Sequence, residues 1–107
     1  VANGLQGTTA LNDGTWRYVA MTVNKSTNTI TFYVNGTADG SLTHASVAVD
    51  HTTTAPVYIG ADRTAGNFLN GSIPIVQIYN RALSSQEIKQ NCIAQQSRFG
   101  VSTCAAP

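Results

Sequence analysis

The stretch from Asn70 to Cys92, Asn-Gly-Ser-Ile-Pro-Ile-Val-Gln-Ile-Tyr-Asn-Arg-Ala-Leu-Ser-Ser-Gln-Glu-Ile-Lys-Gln-Asn-Cys, constrains the fold more tightly than any other part of the sequence. A Gly-marked turn opens it, and an apolar run rich in β-branched residues follows, which reads as a strand. Ser84 then stands where a helix N-cap belongs. Glu87, three residues on, can return a hydrogen bond to the cap's own N–H, the reciprocal arrangement of a capping box. Leu83 before the cap and Ile88 after the first turn are spaced as a hydrophobic staple, which fixes the angle at which the chain enters the helix. The unit predicted is strand, tight corner, short helix, with the helix ending before Gly100.

These residues resemble the closing strand and helix of laminin G-like, concanavalin A-like lectin domains. The common pattern is Phe-x-Gly-x-Ile-Asp-x-Val-x-Ile-Tyr-Asn-Arg-Ala-Leu-Ser-x-x-Glu-Ile. Here Phe68, Gly71, Ile73, Val76, Ile78, Tyr79, Asn80, Arg81, Ala82, Leu83, Ser84, Glu87 and Ile88 match it. Pro74 replaces the family's Asp, and Phe68 lies one residue further from the Gly. Two earlier segments extend the resemblance: Trp16, Val19, Ala20 and Thr22 fit a Trp-x-x-Val-Ala-x-Thr strand, and Tyr33-Val34-Asn35-Gly36 fits a Tyr-Val-Asp/Asn-Gly corner. Ile59-Gly60 resembles a further corner, so the match runs from Thr15 to Cys92. The ending from Leu83 to Gly100 is similar to the tails of such domains in structural proteins of tailed bacteriophages.

Physical patterning supports a mostly β chain independently. Thr15 to Val23 is β-branched and aromatic, with Trp16, Tyr18, Ala20 and Thr22 on one face and Val19, Met21 and Val23 on the other; both faces carry apolar side chains, which predicts an interior strand. Thr29 to Val34 alternates, with Ile30, Phe32 and Val34 inward and Thr29, Thr31 and Tyr33 outward. Asn35-Gly36 predicts a type I′ hairpin turn, because both positions need positive φ. The Ser/Thr-rich stretch from Ala38 to Thr54 offers only Val47 and Val49 for a short strand. Pro56 to Gly60 reads as another, with Pro at its start. About five to seven strands and one short C-terminal helix, with no helix between strands, predict an all-β fold: an antiparallel, jelly-roll β-sandwich of concanavalin A-like type.

At 107 residues the chain is read as one domain, 1–107, which buries only about 60–65% of its unfolded surface. The domains it resembles are longer, with several strands ahead of the Trp-bearing one, so an interior strand left at an edge would expose unpaired main-chain groups. Neighbouring copies, or another segment of a larger polypeptide, are expected to complete the sheets.

Only 10% of residues are charged, against about 25% in a typical domain. Thr, Ser, Asn, Gln and Gly fill the polar positions instead, as in many secreted, adhesive and virion proteins. The net charge of +1, from six Lys and Arg against five Asp and Glu, includes no basic cluster to track a phosphate backbone, which argues against nucleic acid. No apolar run is long enough to span a membrane, and the first residues lack the pattern of a signal peptide, so any export signal is expected outside this chain. Cys92 and Cys104, with eleven residues between them, match no common zinc spacing. A disulfide pinning the tail to the helix and two free thiols in a reducing compartment are both open; the polar composition favours the bridge.

Retaining glycoside hydrolysis needs two carboxylates about 5–5.5 Å apart. The chain has a single Glu, already assigned to the capping box, and its aspartates Asp13, Asp39, Asp50 and Asp62 are dispersed. His44 and His51 lie in the Thr/Ser stretch, with no Gly-x-Ser-x-Gly elbow anywhere, and read as exposed loop imidazoles. No cofactor is expected. Calcium is the open case, since it takes six to eight oxygens: Asp62 and Asn67 with nearby carbonyls, or Asn35 and Asp39, supply part of a shell. Carbohydrate recognition pairs an aromatic face with amides and carboxylates at its rim; the candidates are Tyr33, Tyr58, Asp62, Asn67 and Phe68. Trp16, Phe32 and Tyr79 are expected in the core. Asn24, Asn35 and Asn70 open Asn-x-Ser/Thr sequons, which turns also explain.

The function expected is a non-catalytic, lectin-like structural or adhesion module of a virion or extracellular surface assembly, its partners copies of itself, other structural proteins or surface glycans. The alternatives are a carbohydrate-binding lectin domain and an accessory module of a secreted polysaccharide-active enzyme.

Overall fold

A computed structural model describes residues 6–48, 54–62, 66–101 and 103–106. The chain divides into two units, Val1–Val49 with Asn80–Pro107, and Asp50–Tyr79. Val49, Asp50 and His51 lie outside the described residues.

The first unit holds a three-stranded antiparallel sheet in the order β1-β2-β3, with β1 at Val19–Asn24, β2 at Thr29–Val34 and β3 at Thr37–Thr43. Asn24 sets the first turn by accepting, through Oδ1, hydrogen bonds from the N–H groups of Ser26 (3.0 Å) and Thr27 (3.3 Å), as short amide side chains do in turns. Asn35 (φ 51°) and Gly36 (φ 85°) form the second, with the paired positive φ of a type I′ hairpin. Register places Val19 opposite Val34, Met21 opposite Phe32 and Val23 opposite Ile30, with Leu42 beyond Ile30. One face is therefore apolar. The other carries Thr22, Thr31 and Ser41 in one row and Asn24, Thr29 and Thr43 in the next.

Helix α1 spans Ser85–Phe99, and both bonds of the Ser84–Glu87 capping box are present. At its end Gly100 takes φ 66°, and the N–H groups of Gly100 and Val101 converge on the Gln96 carbonyl, leaving Val101 buried. The Val101 bond is the 6→1 bond of a Schellman motif and the Gly100 bond the 5→1 bond of an αL cap, so the left-handed glycine ends the helix. Ile88 and Cys92, one turn apart, form the buried stripe, and Cys92 is bridged to Cys104 with the Cα atoms 5.8 Å apart. The hairpin tip docks here: Ala105 N–H donates to the Asn35 carbonyl (2.9 Å). A Cβ on Gly36 would stand 3.3 Å from Lys89 Cγ and 3.4 Å from Lys89 Cα.

Several expectations need correcting. The strand predicted over Thr15–Val23 begins at Val19, because Asp13 organises the preceding residues: its carboxylate accepts the Thr15 N–H (3.3 Å) and Oγ1 (2.7 Å) and pairs with Arg17. β1 lies at the sheet edge among the described residues, where an interior position was predicted; alternating apolar faces reveal burial potential without revealing which neighbour supplies it. Strand β3 was not predicted. Its Thr-Ala-Asp-Gly-Ser-Leu-Thr sequence has little β preference, and the tight hairpin imposes its pairing. Val47, read as strand, is buried in a 3₁₀ turn at Ala45–Ala48, whose start His44 Nδ1 secures by accepting the Ser46 N–H (3.1 Å).

Trp16 and Tyr79, expected in the core, are 44% and 46% exposed; Trp16 packs on Phe99 near the helix end, ring centroids 5.6 Å apart. Buried apolar positions among the described residues are Ile88, Cys92 and Val101, on or just beyond the helix, and Val47, in the 3₁₀ turn that lies against β1. In the second unit, 54–62 and 66–79 carry no strand, against the two predicted there. An apolar alternation becomes a strand only where a neighbouring ladder accepts it, and Pro56 and Pro74 have no N–H to offer one.

Candidate functional site

The polar sheet face forms the floor of a groove of ≈ 620 Å³. Thr22, Asn24, Thr27, Thr29, Thr31 and Tyr33 line the floor, and the corner from Arg81 to Ser84, with Glu87, forms the wall. Two-residue alternation on β1 and β2 brings these hydroxyls into rows. Thr29 Oγ1 lies 3.3 Å from Thr43 Oγ1 and donates to the Thr27 carbonyl (2.9 Å), while Thr31 Oγ1 lies 3.4 Å from Ser41 Oγ. Thr22 is nearly buried.

One charged pair stands in the wall. Arg81 donates through both terminal guanidinium nitrogens, Nη1 and Nη2, to the Glu87 carboxylate (2.8 and 2.5 Å), the forked geometry that suits arginine to carboxylates. The same carboxylate accepts the Ser84 N–H (2.9 Å), and Ser84 Oγ accepts the Glu87 N–H (3.2 Å). The Arg81 bonds first, and the Ser84 N–H second, hold the Glu87 carboxyl down at about 2. Glu87 is thus ionised and neutralised near pH 7, a poor proton donor to a leaving group. The groove presents hydroxyls, one phenol and a compensated ion pair.

The other described carboxylates also have local duties. Asp13 is held well below its ordinary range by Arg17 and Thr15. Asp39, the extra residue where β3 shifts register against Phe32 and Tyr33, accepts hydrogen bonds from the N–H and hydroxyl of both Thr8 and Thr9, and these, Thr9's first, lower its pKa. Asn35 Oδ1, weighed with Asp39 as part of a calcium shell, accepts the Tyr18 N–H (3.0 Å).

In the second unit Asp62 organises a loop by accepting the Gly66 N–H (3.1 Å) and the Asn67 side-chain amide (2.5 Å), while Leu69 N–H donates to the Gly60 carbonyl (2.8 Å). Asp62 and Asn67 are therefore brought together as the sequence suggested, with Asn67 at φ 48° presenting a donor to the carboxylate. Tyr58 and Phe68 are exposed at 41% and 74%. Among the described residues no three His, Cys, Asp or Glu side chains group as metal ligands. His44 is committed to Ser46 through Nδ1. Tyr33 belongs to the first unit, alongside Ser84 and Glu87. Arg81 and the threonines were not singled out from sequence; the alternation of Thr29, Thr31 and Tyr33 was visible, but the facing wall was not.

An antiparallel sheet followed by a capped C-terminal helix fits a laminin G-like module. The chain belongs to the concanavalin A-like lectin/glucanases superfamily, whose profile matches residues 2–89. Among solved structures it is similar to residues 221–444 of an S-layer domain-containing protein from Clostridium thermocellum, at 31% identity and a TM-score of 0.60 over 80% of this chain. The chain spans 43% of the length of that structure. No curated protein sequence matches it. No helix among the described residues is long and apolar enough to cross a membrane.

Proposed function

We propose that the chain is a non-catalytic, lectin-like structural or adhesion module of a surface assembly outside the cytoplasm, partnered by copies of itself or by other proteins of that assembly. The observation that carries this is the state of Glu87. The chain's one glutamate is locked by Arg81 and Ser84 in the wall of a groove whose other lining residues include no carboxylate, whereas retaining hydrolysis needs two about 5–5.5 Å apart. The relative described as an S-layer domain-containing protein supports a surface setting, and the Cys92–Cys104 bridge supports an oxidising one. A virion surface, suggested by the resemblance to phage tail-end sequences, is a second setting for the same role.

The hydroxyl-lined groove with Tyr33 on its floor favours one other reading, a saccharide-binding lectin. A reducing-end assay against β-glucans and cell-wall polysaccharides, run beside a glycan array, separates the possibilities. The structural reading expects no released sugar and no saturable glycan. Sugar release abolished by Glu87→Gln would establish an enzyme; saturable binding lost in Tyr33→Ala would establish the lectin.

A further inference from the structure

We propose that Asn70-Gly71 is a site of spontaneous modification in the native chain, where the Gly71 main-chain nitrogen closes on the Asn70 side-chain amide to give a succinimide that water opens to aspartate and isoaspartate. Neither a partner nor an enzyme is needed, so the reaction would proceed in any setting, a surface assembly included.

Asparagine is among the chemically labile residues. Ring closure is favoured where an Asn or Asp precedes Gly, whose missing side chain leaves the attacking nitrogen uncovered, and where the side chain can swing back over the main chain. The described residues hold four such pairs, beginning at Asp13, Asn35, Asp39 and Asn70, while Asn3-Gly4 lies outside them. The first three are held in place. The Asp13 carboxylate takes the Thr15 N–H and hydroxyl and pairs with Arg17, and the Asp39 carboxylate takes the N–H and hydroxyl groups of Thr8 and Thr9. Both are ionised near neutral pH, and an ionised carboxylate resists attack by an amide nitrogen. Asn35 is pinned at both of its oxygens: Oδ1 accepts the Tyr18 N–H (3.0 Å), and the main-chain carbonyl accepts the Ala105 N–H (2.9 Å). Bringing its Cγ onto the Gly36 nitrogen would break the Tyr18 bond and reshape a hairpin turn that needs positive φ at both residues.

Asn70 stands apart. It is exposed, in a bend between Leu69, whose N–H donates to the Gly60 carbonyl (2.8 Å), and the run 72–79 that carries no strand. Among the described residues no hydrogen bond reaches its carboxamide, and no main-chain carbonyl takes the Gly71 N–H. The nearest atom that a Cβ on Gly71 would meet is Leu69 Cγ, 3.7 Å away, so the corner is open.

The chemistry needs only base and water from solvent. Base removes the Gly71 N–H proton, the N–Cγ bond forms, and the Cγ–Nδ2 bond breaks with Nδ2 leaving as ammonia. Water then opens the ring in one of two ways. Cleaving N–Cγ restores the ordinary main chain with an aspartate; cleaving the bond from that nitrogen to the Asn70 main-chain carbonyl carbon leaves isoaspartate, the chain then running through Cγ. Either product exchanges a neutral amide for a carboxylate and lowers the chain's formal charge of +1 by one unit.

Incubating the whole chain in mildly alkaline buffer, with and without denaturing urea, and mapping its peptides by electron-transfer mass spectrometry resolves each asparagine and separates isoaspartate from aspartate. In the native chain Asn70 should convert, while Asn35, held by two hydrogen bonds, should convert more slowly by roughly tenfold or more. In urea, where both pairs lose their surroundings, the two rates should come together. Gly71→Ala, which covers the attacking nitrogen, should slow Asn70 severalfold in buffer and in urea alike, so its readout survives even if the variant does not fold. Equal native rates at Asn35 and Asn70, or an Asn70 that converts in urea but not in the native chain, overturns the proposal. Conversion of Asn70 at an unchanged rate in Gly71→Ala overturns the Gly71 nitrogen as the attacking atom.

Discussion

Reducing the Cys92–Cys104 bridge is a clean perturbation, because it severs the cross-link and leaves both sulfur atoms where Cys92, fully buried against the fold, needs its volume filled. The residues are separated by 12 in sequence. For a closed loop of that size, the entropy withdrawn from the unfolded chain corresponds to about 3 kcal/mol at room temperature. A small domain has on the order of 5–15 kcal/mol in total, so loss of the bridge should remove a large fraction and lower Tm by roughly 10–20 °C. The effect should also be local. Ala105 N–H reaches the Asn35 carbonyl only because Cys104 is tethered beside the helix, so its amide should lose exchange protection before that of Ile88, which α1 bonds to Ser84. Calorimetry with and without a phosphine reductant, with amide exchange on both states, measures the two together. An unchanged Tm with Ala105 still protected would show that the tail is held by its packing, and the cross-link argument would fail.

Gly36→Ala should destabilise by about 1–3 kcal/mol, since an L side chain at φ 85° is strained and its Cβ also meets the Lys89 backbone. Gly14→Ala, at φ 77° with nothing within 4 Å, isolates the strain; equal shifts of the urea midpoint in the two variants would refute the close-approach half of the reasoning. Glu87, held near 2 against an ordinary 4.5, has its folded pKa depressed, so it contributes stability that is fully present above about 4.5 and is lost as pH falls toward 2. Glu87→Gln should therefore lower Tm at pH 7 and flatten the acid limb of the Tm–pH curve; a mutant curve parallel to wild type across that window would contradict the assigned partners.

Features set by a few neighbouring residues were legible in the sequence. Ser84 and Glu87 announce the helix start, Gly100 its end, and Asn35-Gly36 the hairpin, because each depends on local φ preferences or on bonds spanning three or four residues. Features set by long-range pairing were not. β3 exists because the hairpin presents its residues to β2, and its Thr-Ala-Asp-Gly core gives no signal. The reverse error occurred over 72–79, where a strong apolar alternation found no ladder among the described residues. Asp39 was weighed as a cation ligand; only the structure shows Thr8 and Thr9, thirty-odd positions away, taking its oxygens.

The site shows the same division at finer grain. Alternation in β2 correctly separates Ile30, Phe32 and Val34 from Thr29, Thr31 and Tyr33, but a period of two states only that the faces differ. It does not state which face is covered. All six residues are half-buried, and on β1 the large apolar side chains of Val19, Met21 and Val23 are the exposed ones while Thr22 is nearly enclosed. The capped corner explains this inversion: Arg81 to Ser84 form a wall over the threonine face, and the ion pair to Glu87 secures that wall to the first turn of the helix. The polar face thus faces a wall supplied by the same unit, which an alternation read on β2 alone does not reveal.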